Sequence, residues 1–376
     1  MNPDNQFMLT SFTLPNGVEL KNRIVMAPMT NFSSNQDGTV TDAEVNYYAR
    51  RSSGVSMVIT ACTYVTPNGK GFPGEFGGDK DEMIPSLTRL ASAIKEQGAK
   101  AVLQIFHGGR QCPPDLVPNG EIVSASAVPA ERGDVQGKEP RALTESEVED
   151  IIKAFGETTR RAIEAGYDGV EIHGANGYLI QQFFSPHSNR REDRFGGSVE
   201  KRMTFPLAIV DEVQKVIKEH ATPEFIVGYR FSPEEGEDPG ITMGDTLKLV
   251  DTLADKGLTY LHVSLNEFFS TARRGVEDTT KARIEYLLET IGNRVPLIGV
   301  GSIYTTEDAR NAFKAGIPLL AIGRGLIIEP DWVQKVAEGK EDEIVTKIDK
   351  NKQQELVIPD PLWNAIIHTP GWFPGV

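Results

Sequence analysis

A chain of 376 residues with a formal net charge of −14 lacks the Lys and Arg excess that grips a phosphate backbone or an anionic bilayer, so nucleic acid and membrane surfaces are not expected partners. No apolar run approaches the ~20 residues that span a bilayer, and the opening M-N-P-D-N-Q-F has neither the basic nor the apolar part of a signal peptide, which predicts a cytoplasmic protein. Two cysteines, Cys62 and Cys112, are too few for a disulfide framework or an all-cysteine cluster.

In chain order, Ser11 to Lys21 alternates around a Pro-Asn-Gly turn and reads as a β-hairpin, expected to plug the bottom of a barrel. Short β-rich apolar runs then alternate with helical patterns, the pattern of repeated βα units and a parallel sheet. The predicted strands are Ile24 to Pro28, Val55 to Thr60, Ala101 to Phe106, Gly169 to His173, Phe225 to Phe231, Tyr260 to Ser264, Pro296 to Val300 and Leu319 to Ile322, eight in all. Thr41 with Glu44, and Thr144 with Glu147, have the spacing in which a hydroxyl and an acid reciprocally cap a helix start. From Val148 the residues Ile151, Ile152, Phe155, Ala162 and Ile163 share one helical face, which would pack on the barrel. Cys112 to Pro140, with five prolines and no periodicity, reads as a long excursion after the third strand, equally a lid at the catalytic face or a passive surface loop. The tail T-P-G-W-F-P-G-V is unusually apolar and should dock on its own barrel or on a partner subunit, which leaves a homo-oligomer open. The expected architecture is one α/β domain over residues 1–376, a (β/α)8 TIM barrel.

The fourth predicted strand ends in His173, and Asn176 and Tyr178 follow at once. In a parallel barrel the C-terminal strand ends carry the chemistry. A hydrogen-bonding pair with a phenol just beyond it suits a site that holds an oxygen atom and supplies a proton beside it. The competing reading is that H-G-A-N-G is only a turn. Gly299-Val300-Gly301-Ser302 follows the seventh strand and Gly323-Arg324-Gly325 the eighth, the two loops where barrels commonly bind phosphate. Glycine permits close backbone approach there and Arg324 supplies a charge-assisted fork. Two tight βα turns, or a phosphate-binding barrel without flavin, would carry the same motifs.

The run from Gly169 to Gly197, G-V-E-I-H-G-A-N-G-Y-L-I-Q-Q-F-F-S-P-H-S-N-R-R-E-D-R-F-G-G, resembles the signature of the old yellow enzyme family. Asn22 to Thr30, Gln104 to Arg110 and Ile322 to Gly325 agree with it, so the resemblance runs from Leu20 to about Trp332. It implies an FMN-dependent oxidoreductase on a (β/α)8 barrel, with FMN tightly but not covalently held and NADH or NADPH as a transient hydride donor. Ala27, Pro28, Met29 and Thr30 would run along the flavin, with Thr30 at its reactive edge, where another branch of the family has Cys. Ala61 matches a small flavin-contacting residue. Gln104 can both donate and accept along the pyrimidine edge, and Arg230 would face the N1–O2 region, where reduction places negative charge. A strand-end amide facing water, and an arginine paired with Glu234 or Glu235, are the plainer readings of those two. Gly301, Ser302, Gly323 and Arg324 would hold the phosphate.

The resemblance further implies that His173 and Asn176 hydrogen-bond the oxygen of an electron-poor alkene, and that Tyr178 protonates its α-carbon by a ping-pong cycle. Enones are the expected substrates, with quinones, nitro compounds and free flavin as further acceptors. Cys62 reads as inert core, and His107, His187, His220, His262 and His368 as structural or exposed, since they fit no metal-ligand spacing. Two other classes stay open: a metal-free lyase or isomerase that uses His173 or Tyr178 for proton transfer on a phosphorylated substrate, and a flavin-binding sensor without efficient turnover. The loops Cys112 to Pro140 and Asn266 to Gly275, which should shape the pocket, carry no motif that names a substrate.

Overall fold

The computed structural model describes residues 5–131 and 135–376. The first four residues of the N-terminal reading and residues 132–134 of the Cys112 to Pro140 excursion lie outside the described residues. The barrel strands are β1 Ile24–Met26, β2 Met57–Ile59, β3 Lys100–Phe106, β4 Gly169–Gly174, β5 Ile226–Phe231, β6 Tyr260–Val263, β7 Leu297–Gly299 and β8 Leu319–Ile322. Each pairs in parallel with the next, and β8 pairs with β1, so no edge is left. All eight predicted strands are present, with ends shifted by one or two residues. Nearly every position along them is buried, because helices cover the outside and side chains fill the inside.

Strand β2 is interrupted. Its ladder stops at Ile59 and resumes as Thr63–Tyr64, which pairs with Ile105 and Phe106 of β3. In the gap, the Ala61 N–H leaves the ladder and donates to the Tyr48 hydroxyl at 2.7 Å, so the break costs no unpaired donor.

The hairpin forms as expected, with Phe12 opposite Leu20 and Thr13 opposite Glu19. Leu14, Val18 and Leu20 pack with Val25, Met57, Val102, Ile226, Tyr260, Ile298 and Leu319 inside the barrel, so the hairpin closes its N-terminal end. A separate, larger core lies between barrel and helices. Both reciprocal caps are present: Thr41 and Glu44 start the helix Asp42–Ser52, and Thr144 and Glu147 start Glu145–Glu164. On the latter, Val148, Ile151, Ile152, Phe155 and Ala162 are buried and Ile163 is half-buried.

The excursion is anchored along its described length. Val123–Ser124 pairs with Arg141–Ala142, Ser124 Oγ donates to Gln182 Oε1 at 2.8 Å, and Arg110 Nη1 donates to the carbonyls of Val128 and Pro129. The tail docks on its own barrel: Phe373 is buried, and the Ile348 N–H donates to the Pro374 carbonyl at 2.8 Å. Among the described residues no helix is long and apolar enough to cross a membrane.

Candidate active site

A cavity of about 470 Å³ opens where the C-terminal ends of β1, β5, β6, β7 and β8 converge, within the range of sites that enclose a cofactor. Ala27, Pro28 and Met29 come to it from β1, Arg230 from β5 and Asn176 from the turn after β4. Gly301, Ser302, Gly323 and Arg324 line it from the two loops after β7 and β8. Thr30, Ala61, Gln104, His173 and Tyr178 do not line it. Thr30 Oγ1 is 4.0 Å from Cys62 Sγ. Cys62 is buried, and burial pushes its thiol well above the ordinary value, in keeping with an inert core residue.

The end of the cavity between the loops after β7 and β8 is shaped by backbone. Gly301 has φ +140°, and a Cβ there would stand 2.5 Å from the Phe268 nitrogen, so the loop can only be drawn this close with glycine. Ser302 Oγ donates to Glu267 Oε1 at 2.6 Å and receives Arg324 Nη2 at 3.2 Å. The other Arg324 nitrogen, Nη1, donates to the Trp372 carbonyl at 2.8 Å. Glu267 is exposed, so the Ser302 hydroxyl stands between its carboxylate and the Arg324 guanidinium.

At the other end, His173 is fully enclosed. Burial first, and the Arg230 charge second, bring its pKa down to about 3, so the imidazole is neutral at physiological pH. Its Nδ1 accepts the Ala175 N–H at 3.3 Å, which leaves the proton on Nε2, free to be donated. The His173 ring lies 5.1 Å from the Tyr178 ring and 5.9 Å from Phe106. Phe72 closes this cluster, edge-on to Tyr178 at 6.0 Å. Burial pushes the Tyr178 phenol well above its ordinary pKa, so it stays protonated. Asn176 has φ +58°, a conformation asparagine tolerates better than most residues. Its backbone N–H donates to Ser232 Oγ and its Oδ1 accepts from Ser264 Oγ at 2.7 Å. Asn176 is itself a lining residue of the cavity.

Arg230 is buried, and its Nε has no hydrogen-bond partner among the described residues. The nearby acids are engaged elsewhere: Glu234 with Arg283, and Glu235 with Gln181 and Ser185. Gln104 is likewise buried and does not face water. Its Nε2 donates at 2.8 Å to Glu171, a buried carboxylate that also receives Tyr260 OH and His262 Nδ1, both at 2.9 Å. Burial works against ionisation of Glu171, but His262, Arg230 and Gln104 together hold its carboxyl below the ordinary range. Burial lowers the pKa of His262 as well, against the opposing pull of the Glu171 carboxylate. An enclosed arginine with an unmet donor, a buried amide and a glycine cradle ending in Arg324 fit a flavin mononucleotide from its pyrimidine edge to its phosphate.

Residues 9–343 match the NADH:flavin oxidoreductase / NADH oxidase family. The chain belongs to this family. It is 55% identical over 375 residues, 100% of the chain and 99% of the relative, to the probable NADH-dependent flavin oxidoreductase YqiG of Bacillus subtilis. It is 46% identical over 362 residues to the NADH:fumarate oxidoreductase of Klebsiella pneumoniae, covering 96% of this chain and spanning 39% of that longer protein. Among solved structures, morphinone reductase in complex with tetrahydroNAD superposes with a TM-score of 0.75 at 28% identity, covering 89% of this chain and 91% of the other. The old yellow enzyme resemblance and the barrel are thereby borne out, and FMN with NADH or NADPH are the cofactors of this family member.

Glu171, Tyr260, Ser264, Phe72 and Trp372 were not among the expected site residues, and Glu267 was expected only as part of a pocket-shaping loop. Only Glu171 left a local trace, a lone charge inside the apolar run G-V-E-I-H. The others come to the site through tertiary packing.

Proposed function

We propose that residues 1–376 act as one FMN-binding barrel that oxidises NADH or NADPH and reduces an activated alkene, with Tyr178 as proton donor and His173 and Asn176 as the oxygen-holding pair. FMN, when bound, supplies the hydride chemistry between reductant and alkene. The observation that carries this reading is the protonation pattern at the end of β4: a neutral His173 whose Nδ1 is occupied, so that Nε2–H is the available donor, with a protonated Tyr178 beside it. His173 and the Asn176 amide would hold a carbonyl or carboxylate oxygen and stabilise charge developing there. Tyr178 would give its proton to the α-carbon and recover one from solvent. With a hydride arriving at the β-carbon, each turnover consumes one NAD(P)H and one proton and saturates one C=C bond. Gln104 and Arg230 would bind the pyrimidine edge; Ala27 to Thr30 and Ala61 would border the ring; Gly301, Ser302, Gly323 and Arg324 would hold the phosphate.

The name of the Klebsiella relative supports a conjugated carboxylate as one substrate class, since fumarate is an electron-poor alkene. It also favours a second reading. This chain matches only 39% of that protein, so the shared part would be the NADH-oxidising half, with electrons passing on to a separate acceptor such as a quinone or free flavin.

The purified protein should be yellow, with absorption near ~450 nm, a band that a flavin cofactor carries and amino-acid side chains do not. Under anaerobic conditions NADH or NADPH should bleach it. Restoration of colour by 2-cyclohexenone, fumarate or acrylate, with the saturated product detected, supports alkene reduction. Restoration by menadione or free FMN alone supports the second reading. A colourless protein that binds no FMN sinks both.

A further inference from the structure

Glu171 stands two residues before His173 on β4 and takes no part in holding or protonating the alkene. It is 0% exposed, and an ionised group so deep needs a reason. The ladder sets Gln104, Glu171, Gly228 and Tyr260 side by side across β3 to β6. Gly228 is what lets the Tyr260 ring reach across: a Cβ at 228 would lie 2.1 Å from Tyr260 Cζ. Two residues further along, Arg230 stands beside His173 on one side and His262 on the other. Glu171 thus lies directly under the level at which the Arg230 guanidinium stands.

A carboxylate can only accept, so its three partners must all donate. Tyr260 gives O–H and His262 gives Nδ1–H. Gln104 gives its amide N–H, which leaves Gln104 Oε1 as the group free for a ligand. An arginine alone beneath the pyrimidine ring would strongly favour the charge that reduction places there; a carboxylate close by in the same low-dielectric interior offsets part of that pull.

We propose that Glu171 is a positioning residue for the flavin: it locks the Gln104 amide with its oxygen toward the pyrimidine edge and offsets the Arg230 charge, and so sets the flavin midpoint potential. This rests on the placement of that edge against Gln104 and Arg230 given under the proposed function.

Potentiometric titration of the FMN-loaded protein tests it. Glu171→Gln keeps the shape and removes the charge, and a switch of the His262 tautomer can satisfy the new amide. The flavin equilibrium should move tenfold or more toward the reduced form, about 30 mV for two electrons; a change below twofold overturns the charge role. Glu171→Asp keeps the charge but withdraws the carboxylate from Gln104 by one methylene. It should raise the FMN Kd at least tenfold with the potential held within that twofold limit, and an unchanged Kd overturns the positioning role. Arg230→Gln, measured alongside, should shift the potential in the opposite sense to Glu171→Gln. If it does and Glu171→Gln does not, Glu171 alone is dismissed. If Arg230→Gln leaves the potential unmoved, the placement of the pyrimidine edge falls, and the role of Glu171 with it.

Discussion

A single phenolic oxygen separates the two halves of the proposed cycle. Tyr178→Phe removes that oxygen and keeps the ring contacts with Phe72, Phe106 and His173. Bleaching by NAD(P)H needs no proton delivered to carbon and should proceed at its native rate. Reoxidation by an enone should slow by roughly a hundredfold or more, the usual loss for a positioned general acid. Stopped-flow traces at the flavin band read both steps, and equal loss in both, or none in either, removes Tyr178 from this role. The same scale shows what a sequence can and cannot disclose. His173, Asn176 and Tyr178 fall within six consecutive residues, so their proximity was legible before any fold was known. The protonation state of His173 was not, because it depends on burial and on Arg230, brought alongside from another strand.

Helix starts are governed by neighbours three residues apart, and both reciprocal caps were therefore readable. Glu44 adds a pH dependence that the spacing alone did not announce. Burial pushes its carboxyl from the ordinary 4.5 to about 7, against hydrogen bonds from the Thr41 N–H and Ser34 hydroxyl. A carboxyl raised on folding contributes stability that is fully present below its unfolded pKa and is lost as pH rises through the folded one. Glu44→Gln retains a residue that can complete the cap. The wild type should therefore lose stability relative to Glu44→Gln as pH rises from about 4.5 to about 7, by on the order of 3 kcal/mol. Thermal melts of both proteins across that range would show their Tm difference widening, and parallel curves would reject the assignment. The interruption of β2 was illegible by contrast. The run Val55 to Thr60 reads as one strand, and its end is set by Tyr48, a helix residue whose hydroxyl takes the Ala61 N–H.

Across the whole barrel, stability and chemistry occupy opposite ends. The hairpin closes the N-terminal end and the cavity opens at the other, as in barrels generally. Leu20 is fully buried in the plug, so Leu20→Ala should cost roughly 2–5 kcal/mol in denaturant unfolding, while both half-reactions of the protein that remains folded keep their rates. A matching loss of rate would mean that the two ends are mechanically coupled. The C-terminal tail obeys a different logic, because it reaches the end of the barrel at which the cavity opens. Arg324 spends one nitrogen on the Trp372 carbonyl, and Trp372 borders the same cavity. Binding free energies at two such sites are reciprocal. Whatever factor the docked tail adds to FMN retention, FMN must return to the docking of the tail. Carboxypeptidase should consequently trim the FMN-loaded protein more slowly than the stripped one, and equal trimming rates would show the two to be independent. On the first outcome, the last few residues would act as a tally of occupancy, letting a protease in solvent read whether the flavin is aboard.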